Sequence, residues 1–96
     1  MEPTAEFVAA IVGPRIRRIR RGQELSQESL ADVAEYHRTQ MTRLEWGERL
    51  PRLDTLIKLA SGLGVPPCEL LDGIGWEPGG HGRPGRIVEV RREADG

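Results

Sequence analysis

Residues 53–63 carry the strongest helical signal in the chain. Apolar side chains recur there with the spacing i, i+3, i+4 and i+7, in the order Leu53, Leu56, Ile57, Ala60 and Leu63. This spacing places them on one face of a helix, and an apolar face has to be buried against other elements. The pattern therefore predicts that this helix is the most buried element of a domain built from packed helices.

Three shorter helices are predicted around it. Ser26 is an N-cap candidate for a helix of about eight residues. A further helix is predicted over residues 38–46, where Met41 and Leu44 lie three apart on the inner side. Pro67 suits the first position of a last short helix.

The N-terminal helical signal is interrupted at Gly13–Pro14. Proline disfavours α geometry at the preceding residue and has no amide hydrogen to donate. We therefore expect a break or kink there, with a helix from Pro14 that buries Ile16 and Ile19 and exposes its arginines. Residues 1–13 would then form a separate helical extension, and residues 14–72 would form the main domain.

Beyond residue 72 the composition changes, because six glycines and two prolines fall within residues 73–85. Helix is disfavoured until residues 86–92, which are predicted to form a strand. No obvious partner strand is present in the chain. We therefore expect residues 73–96 to be either mobile or paired, through this strand, with a second copy across a two-fold axis.

Composition excludes several classes of protein. Ninety-six residues form one small domain, and no apolar run reaches the roughly 20 residues of a membrane span. The single cysteine, Cys68, precludes an internal disulfide, which fits a reducing cytosol. Together with the lack of a long apolar run, this predicts a soluble cytoplasmic protein. The sequence contains no set of catalytic residues, no glycine-rich loop that could bind phosphate and no residues at metal-ligand spacing. We therefore expect that the protein is not an enzyme and binds neither a cofactor nor a metal ion.

The charge is distributed unevenly although the net charge is only −1. Residues 15–58 hold 10 basic and 7 acidic side chains, whereas the rest of the chain holds 4 and 8. Of the 14 basic residues 13 are arginine, whose planar fork matches phosphate and guanine edges. This distribution favours a nucleic-acid partner for the middle of the chain.

The helix over residues 38–46 has a polar face suited to DNA. At about 100° per residue, Thr39 and Arg43 lie opposite the buried Met41 and Leu44. A major groove about 12 Å wide admits one helix, in which arginine can bind guanine and threonine can contact a base. An ordinary solvated helix face would present the same residues, so the pattern alone leaves both interpretations open.

The ordered motifs resemble the XRE (Cro/C1-type) helix-turn-helix family of bacterial and phage regulators. The resemblance covers residues 13–71 and rests on the motifs RIRRIR (15–20), LSQESLA (25–31), RTQMTRLEWG (38–47), Pro51 and the amphipathic residues 53–71. It implies an all-α, five-helix, lambda-repressor-like domain, followed here by a Gly/Pro-rich extension with one β-strand.

The resemblance also implies roles for individual residues. The family's base-contacting positions match Arg38, Thr39 and Arg43, with Gln40 and Thr42 as additional contacts. Its DNA-backbone contacts match Gln27, which also braces the first reading residue, and Arg52, with Arg49 nearby. A structural ion pair between the first and third helices matches Arg20 and Glu45.

The chain departs from the family at three positions. Glu35 stands where the turn usually has glycine, so a left-handed backbone there would cost roughly 1 kcal/mol. His37 replaces the usual Ser or Thr cap, which leaves it as either a phosphate contact or a neutral surface residue. Trp46 stands where the family often has Arg or Asn.

Together these features predict a sequence-specific transcriptional regulator that binds a palindromic DNA site as a homodimer. The dimer surface is either the Leu63–Trp76 end or the C-terminal strand. Two alternatives remain: an antitoxin, or other protein-interaction module, whose tail folds on a protein partner, and the controller of a restriction-modification system.

Overall fold

The computed structural model describes residues 1–90. It contains five helices and a hairpin, in the order α1 (Pro3–Gly22), α2 (Gln27–Ala34), α3 (Arg38–Glu45), α4 (Leu53–Leu63), α5 (Pro67–Leu71), β1 (Ile74–Glu77) and β2 (Arg86–Glu89). The five-helix architecture predicted from the sequence is confirmed. Within the described residues, no helix is both long and apolar enough to cross a bilayer.

Of the break or kink expected at Gly13–Pro14, the break was wrong, because α1 runs through both residues as one helix of 20 residues. Pro14 is exposed, so its ring lies on the solvent side, whereas Val12 and Ile16 are buried in the core. A proline inside a helix costs about 3 kcal/mol or more. Burial of an apolar face that continues on both sides of Pro14 offsets that cost.

The core lies between α4 and the helices that precede it. Its largest members come from every helix and are Val12, Ile16, Leu30, Met41, Leu44, Leu59, Leu63 and Leu70. The face of α4 is rotated from the predicted one, since Leu53 and Ile57 remain 70% and 49% exposed and Leu59 is buried instead. The core side of α4 thus faces α2, with which it makes its main contacts.

The turns that join the helices have identifiable physical causes. Ser26 caps α2, because its Oγ accepts a hydrogen bond from the Ser29 amide at 3.0 Å. Gly47 adopts a φ of 81° after α3, and a Cβ there would approach the Cα of Ala10 to 2.9 Å. Glycine is therefore required at this position both for its conformation and for its contact with α1.

The C-terminal extension folds within its own chain, contrary to the expectation that its strand lacks a partner. β2 pairs antiparallel with β1, with Ile74 opposite Glu89 and Glu77 opposite Arg86. The predicted strand over residues 86–92 ends at Glu89 in the structure, and its residues 91–92 lie outside the described residues. The strand β1 was not predicted from the sequence, because this short segment contains glycine and is flanked by glycine and proline.

Arg15 holds the hairpin against the helices. The sequence predicted that it faces the solvent, and this prediction was wrong. Its Nη1 donates to the carbonyl oxygens of Leu70 at 3.2 Å and Asp72 at 2.7 Å. Its Nη2 binds Glu89 Oε2 of β2 at 3.0 Å. One guanidinium group thus joins α1, the end of α5 and the hairpin.

Candidate nucleic-acid interface

The turn between α2 and α3 sets the angle at which α3 leaves the domain. Glu35 adopts the left-handed conformation, with a φ of 53° and a ψ of 42°, where the family usually has glycine. The amide of Tyr36 donates to the carbonyl of Ala31 at 2.9 Å. Burial raises the pKa of the Tyr36 phenol, and the nearby positive charge of Arg49 opposes that shift. The turn thus combines a left-handed residue with a half-buried phenol.

The ion pair implied by the resemblance is present between α1 and the end of α3. Arg20 binds Glu45 through two hydrogen bonds, Nε to Oε2 at 2.6 Å and Nη2 to Oε1 at 3.0 Å. Glu45 is 1% exposed, and Arg20 also donates to the carbonyl of Leu25 at 2.7 Å. A buried carboxylate needs such a partner, so the pair fixes the position of α3 against α1.

Gln27 extends this network to the exposed side of α3. Its Nε2 donates to Glu45 Oε1 at 2.9 Å, and its Oε1 accepts from Thr42 Oγ1 at 3.3 Å. The resemblance implies that Gln27 braces the first reading residue, and its hydrogen-bond partners in the structure are Glu45 and Thr42. The hydrogen-bonded series Arg20–Glu45–Gln27–Thr42 therefore connects three helices.

The polar face of α3 is exposed, as the helical geometry predicts. Thr39, Thr42 and Arg43 are all exposed. Arg38 is exposed too, and its Nη1 binds Glu28 Oε1 at 2.9 Å. This pair closes one side of a groove between the starts of α2 and α3, which Gln27 and Thr39 also line.

Glu28 had no predicted place on this surface. It stands in the first turn of α2, where a carboxylate is already favoured by the helix dipole, so its presence there is explained without Arg38. Only the packing angle of the two helices brings Glu28 to the side chain of Arg38, ten residues further along the chain.

Two predicted contacts are placed differently from the rest. Gln40 is intermediate in exposure, and its Oε1 is buried with no hydrogen-bond partner among the described residues. Its contact with DNA stays a prediction. His37 occupies the N-cap position of α3 and is exposed, and its side chain makes no capping hydrogen bond.

The two loop arginines lie beyond the C-terminal end of α3. Arg49 and Arg52 are both exposed, and the side chain of Arg52 is 86% exposed. Arg52 is the N-cap residue of α4 and lies 3.5 Å from Asp54, measured from Nε to Oδ1. An exposed pair of this kind contributes little to stability, so Arg52 can exchange Asp54 for another anion at little cost.

Comparison with known proteins identifies the family. The helix-turn-helix domain family matches residues 11–72. The control protein C.BamHI of Bacillus amyloliquefaciens is 38% identical over 66 residues, which span 68% of this chain and 82% of that protein.

Solved structures show the same arrangement of helices. The restriction-modification controller protein C.AhdI from Aeromonas hydrophila has a TM-score of 0.62 and 35% identity, over 65% of this chain and 94% of that one. The competence regulator ComR from Streptococcus vestibularis has a TM-score of 0.63 and 41% identity, over 68% of this chain and 22% of that one. The chain therefore belongs to the XRE (Cro/C1-type) helix-turn-helix family and is a DNA-binding transcriptional regulator.

Proposed function

We propose that this regulator reads a specific DNA sequence with the exposed face of α3. The observation that carries the proposal is that Thr39 and Arg43 are exposed on a helix held firmly from behind by the Glu45 network. Arg43 and Arg38 present guanidinium forks that match guanine O6 and N7, and Thr39 can donate to a base or offer its methyl group to thymine. Thr42, held by Gln27, adds a hydroxyl at the edge of this face.

Phosphate contacts in this proposal flank the reading helix on both sides. Gln27 lies at the start of α2, where the helix dipole and the free amides favour an anion. Arg52 and Arg49 lie on the other side, next to the start of α4, and His37 lies at the start of α3. Contacts of this kind fix the register of the protein on the duplex, whereas the base contacts specify the sequence.

The proposal includes a homodimer on a palindromic site. A chain with a net charge of −1 neutralises few phosphates as a monomer, and affinity rises with the number of phosphates neutralised. Two copies would place two α3 helices about 34 Å apart, in successive major grooves. The Leu63–Trp76 end is the favoured dimer surface, because Leu71 and Trp76 are exposed there.

A more specific candidate is control of a restriction-modification system. It is favoured by two relatives, C.BamHI, named as a control protein, and C.AhdI, named as a restriction-modification controller. The antitoxin alternative requires a tail that folds on a toxin. It is less favoured, because residues 74–89 already form a hairpin whose Glu89 is bound to Arg15 of α1. A neighbouring restriction enzyme gene, or a co-purifying small protein, would distinguish the two.

The test is selection of bound duplexes from a random library by the purified full chain. We expect enrichment of an inverted repeat whose half-sites are about one helical turn apart, bound by two copies in sedimentation. Failure to enrich any sequence at low ionic strength would refute sequence reading. Enrichment of a single unrepeated half-site, bound by one copy, would refute the dimer but not base recognition.

A further inference from the structure

A second basic surface lies beside the C-terminal end of α3. Four residues of α1 recur at i, i+3, i+4 and i+7 and so share one helix face, namely Pro14, Arg17, Arg18 and Arg21. This face lines a groove together with Glu45 and Trp46. We call it the α1 arginine groove.

The arginines of this groove have no partner within the described part of the chain. Arg17, Arg18 and Arg21 are exposed, and none forms an ion pair or a hydrogen bond with a described side chain. Like charges three or four residues apart on a helix repel each other. The helix dipole favours Arg21 in the last turn but falls off before Arg17 and Arg18. The three arginines therefore do not stabilise the described fold through ion pairs or hydrogen bonds of their side chains. They are available to bind an anion from outside the chain.

The groove is continuous with the exposed face of α3. Trp46 follows α3 directly, and at about 100° per residue it lies in line with Thr39 and between Thr42 and Arg43. Trp46 is 65% exposed. An aromatic face beside guanidinium groups is favourable for them, because the ring attracts cations.

The position of Trp46 at the end of α3 indicates what would lie over the α1 arginine groove when DNA is bound. A recognition helix lies in the major groove with its N-terminal residues on the base edges. When Thr39 and Arg43 lie in the major groove, the C-terminal end of α3 is therefore further from the base edges and closer to the phosphate backbone that borders them.

We propose that Arg17, Arg18 and Arg21, together with Trp46, bind backbone phosphates of the duplex next to the sequence read by α3. The inference rests on the proposed function of α3. An acidic protein segment would match the charge as well, but continuity with the reading face favours DNA. The consequence is a footprint that extends beyond the bases contacted by α3.

The experiment compares the full chain with the triple variant Arg17→Gln, Arg18→Gln, Arg21→Gln on two duplexes. One duplex contains only the selected site, and the other adds about ten base pairs, roughly one helical turn, on each side. We expect the wild type to bind the longer duplex more tightly and the triple variant to bind both equally. The slope of log K against log salt should fall by about 0.9 for each phosphate that the variant no longer binds, and the base preference should persist.

The matched control is Arg83→Gln, which removes an exposed arginine of the hairpin that is also unpaired among the described side chains. It should leave the flank dependence and the salt slope unchanged. A second measurement does not depend on the triple variant. The emission of Trp46, taken as the difference between the wild type and a Trp46→Phe chain, should change more with the long duplex than with the short one.

A triple variant that keeps the wild-type salt slope and flank dependence would overturn the proposal. So would unchanged DNA binding combined with loss of binding to a poly-glutamate peptide, which would assign the groove to a protein partner. Failure of the proposed function can be distinguished from failure of this inference. If Arg43→Ala keeps the full base preference, the assignment of the reading face is wrong. The dependence of affinity on the added base pairs still tests whether the α1 arginine groove binds phosphates.

Discussion

Gly13 lies directly against the backbone of Leu44, where α1 crosses the end of α3. A Cβ at Gly13 would collide with the carbonyl oxygen of Leu44 and approach the amide nitrogen of Gly47 to 2.8 Å. Because these are backbone atoms, no side-chain rotation relieves the overlap. The glycine that first indicates a helix break is therefore a contact residue that lets the two helices approach.

Replacement of Gly13 by alanine is expected to reduce the free energy of unfolding by about 2 kcal/mol, as overpacking of a rigid contact does. Gly22→Ala is the matched control, because a Cβ at Gly22 meets nothing within 4 Å. That change should be neutral or stabilise α1 by roughly 0.5 kcal/mol. Urea denaturation followed by circular dichroism measures both, and equal stabilities would contradict the close approach of α1 to α3.

Replacement of Glu45 by glutamine should destabilise the domain by about 3 kcal/mol, because Arg20 would lose the charge of its buried partner. Gln27 would lose its carboxylate acceptor at the same time. Glu48→Gln, at an exposed carboxylate near α3, should change stability by less than about 0.5 kcal/mol. If both variants unfold at the wild-type urea concentration, the Glu45 network does not fix α3.

Replacement of Arg43 by alanine should cost about 1–3 kcal/mol of binding to the selected site and relax the base preference there. The physical reason is the removal of a guanidinium that reads a base edge. Titration of the selected site and of a scrambled duplex separates the two effects. Equal weakening on both duplexes would mean that Arg43 contacts phosphate and not a base.

Replacement of Arg52 by glutamine should instead weaken binding to all duplexes alike. Removal of one phosphate contact lowers the salt slope by about 0.9. Titrations at several salt concentrations, with Arg83→Gln as the control, measure that slope. A change in base preference without a change in slope would contradict the assignment to the backbone.

Replacement of Arg15 by alanine should release the hairpin from α1 and α5. The guanidinium makes three hydrogen bonds across this junction, so a destabilisation of about 2 kcal/mol is expected. Limited proteolysis should then cut residues 78–85 faster than in the wild type. Arg86→Ala removes an arginine of the same hairpin whose ion pair with Glu77 is exposed, and it should not accelerate cleavage. Equal rates for both variants would show that Arg15 does not hold the hairpin.

The positions of the helices could be predicted from the sequence because helix formation is a local property. Ser26 caps the residues that follow it, and Met41 and Leu44 mark the inner side of α3 within a single turn. The same periodicity predicted the exposure of Thr39 and Arg43, since the direction opposite the core follows from the helix geometry alone.

The remaining features depend on which distant segments meet, and local patterns do not contain that information. Gly13 and Pro14 have the same sequence signature whether a helix ends there or another helix packs closely against it. The pairing of β1 with β2 and the hold of Arg15 on Glu89 join residues that are far apart in the chain. Periodicity thus determined where the helices form, whereas packing decided their contacts, because burial and hydrogen bonding between distant residues exist only once the chain has folded.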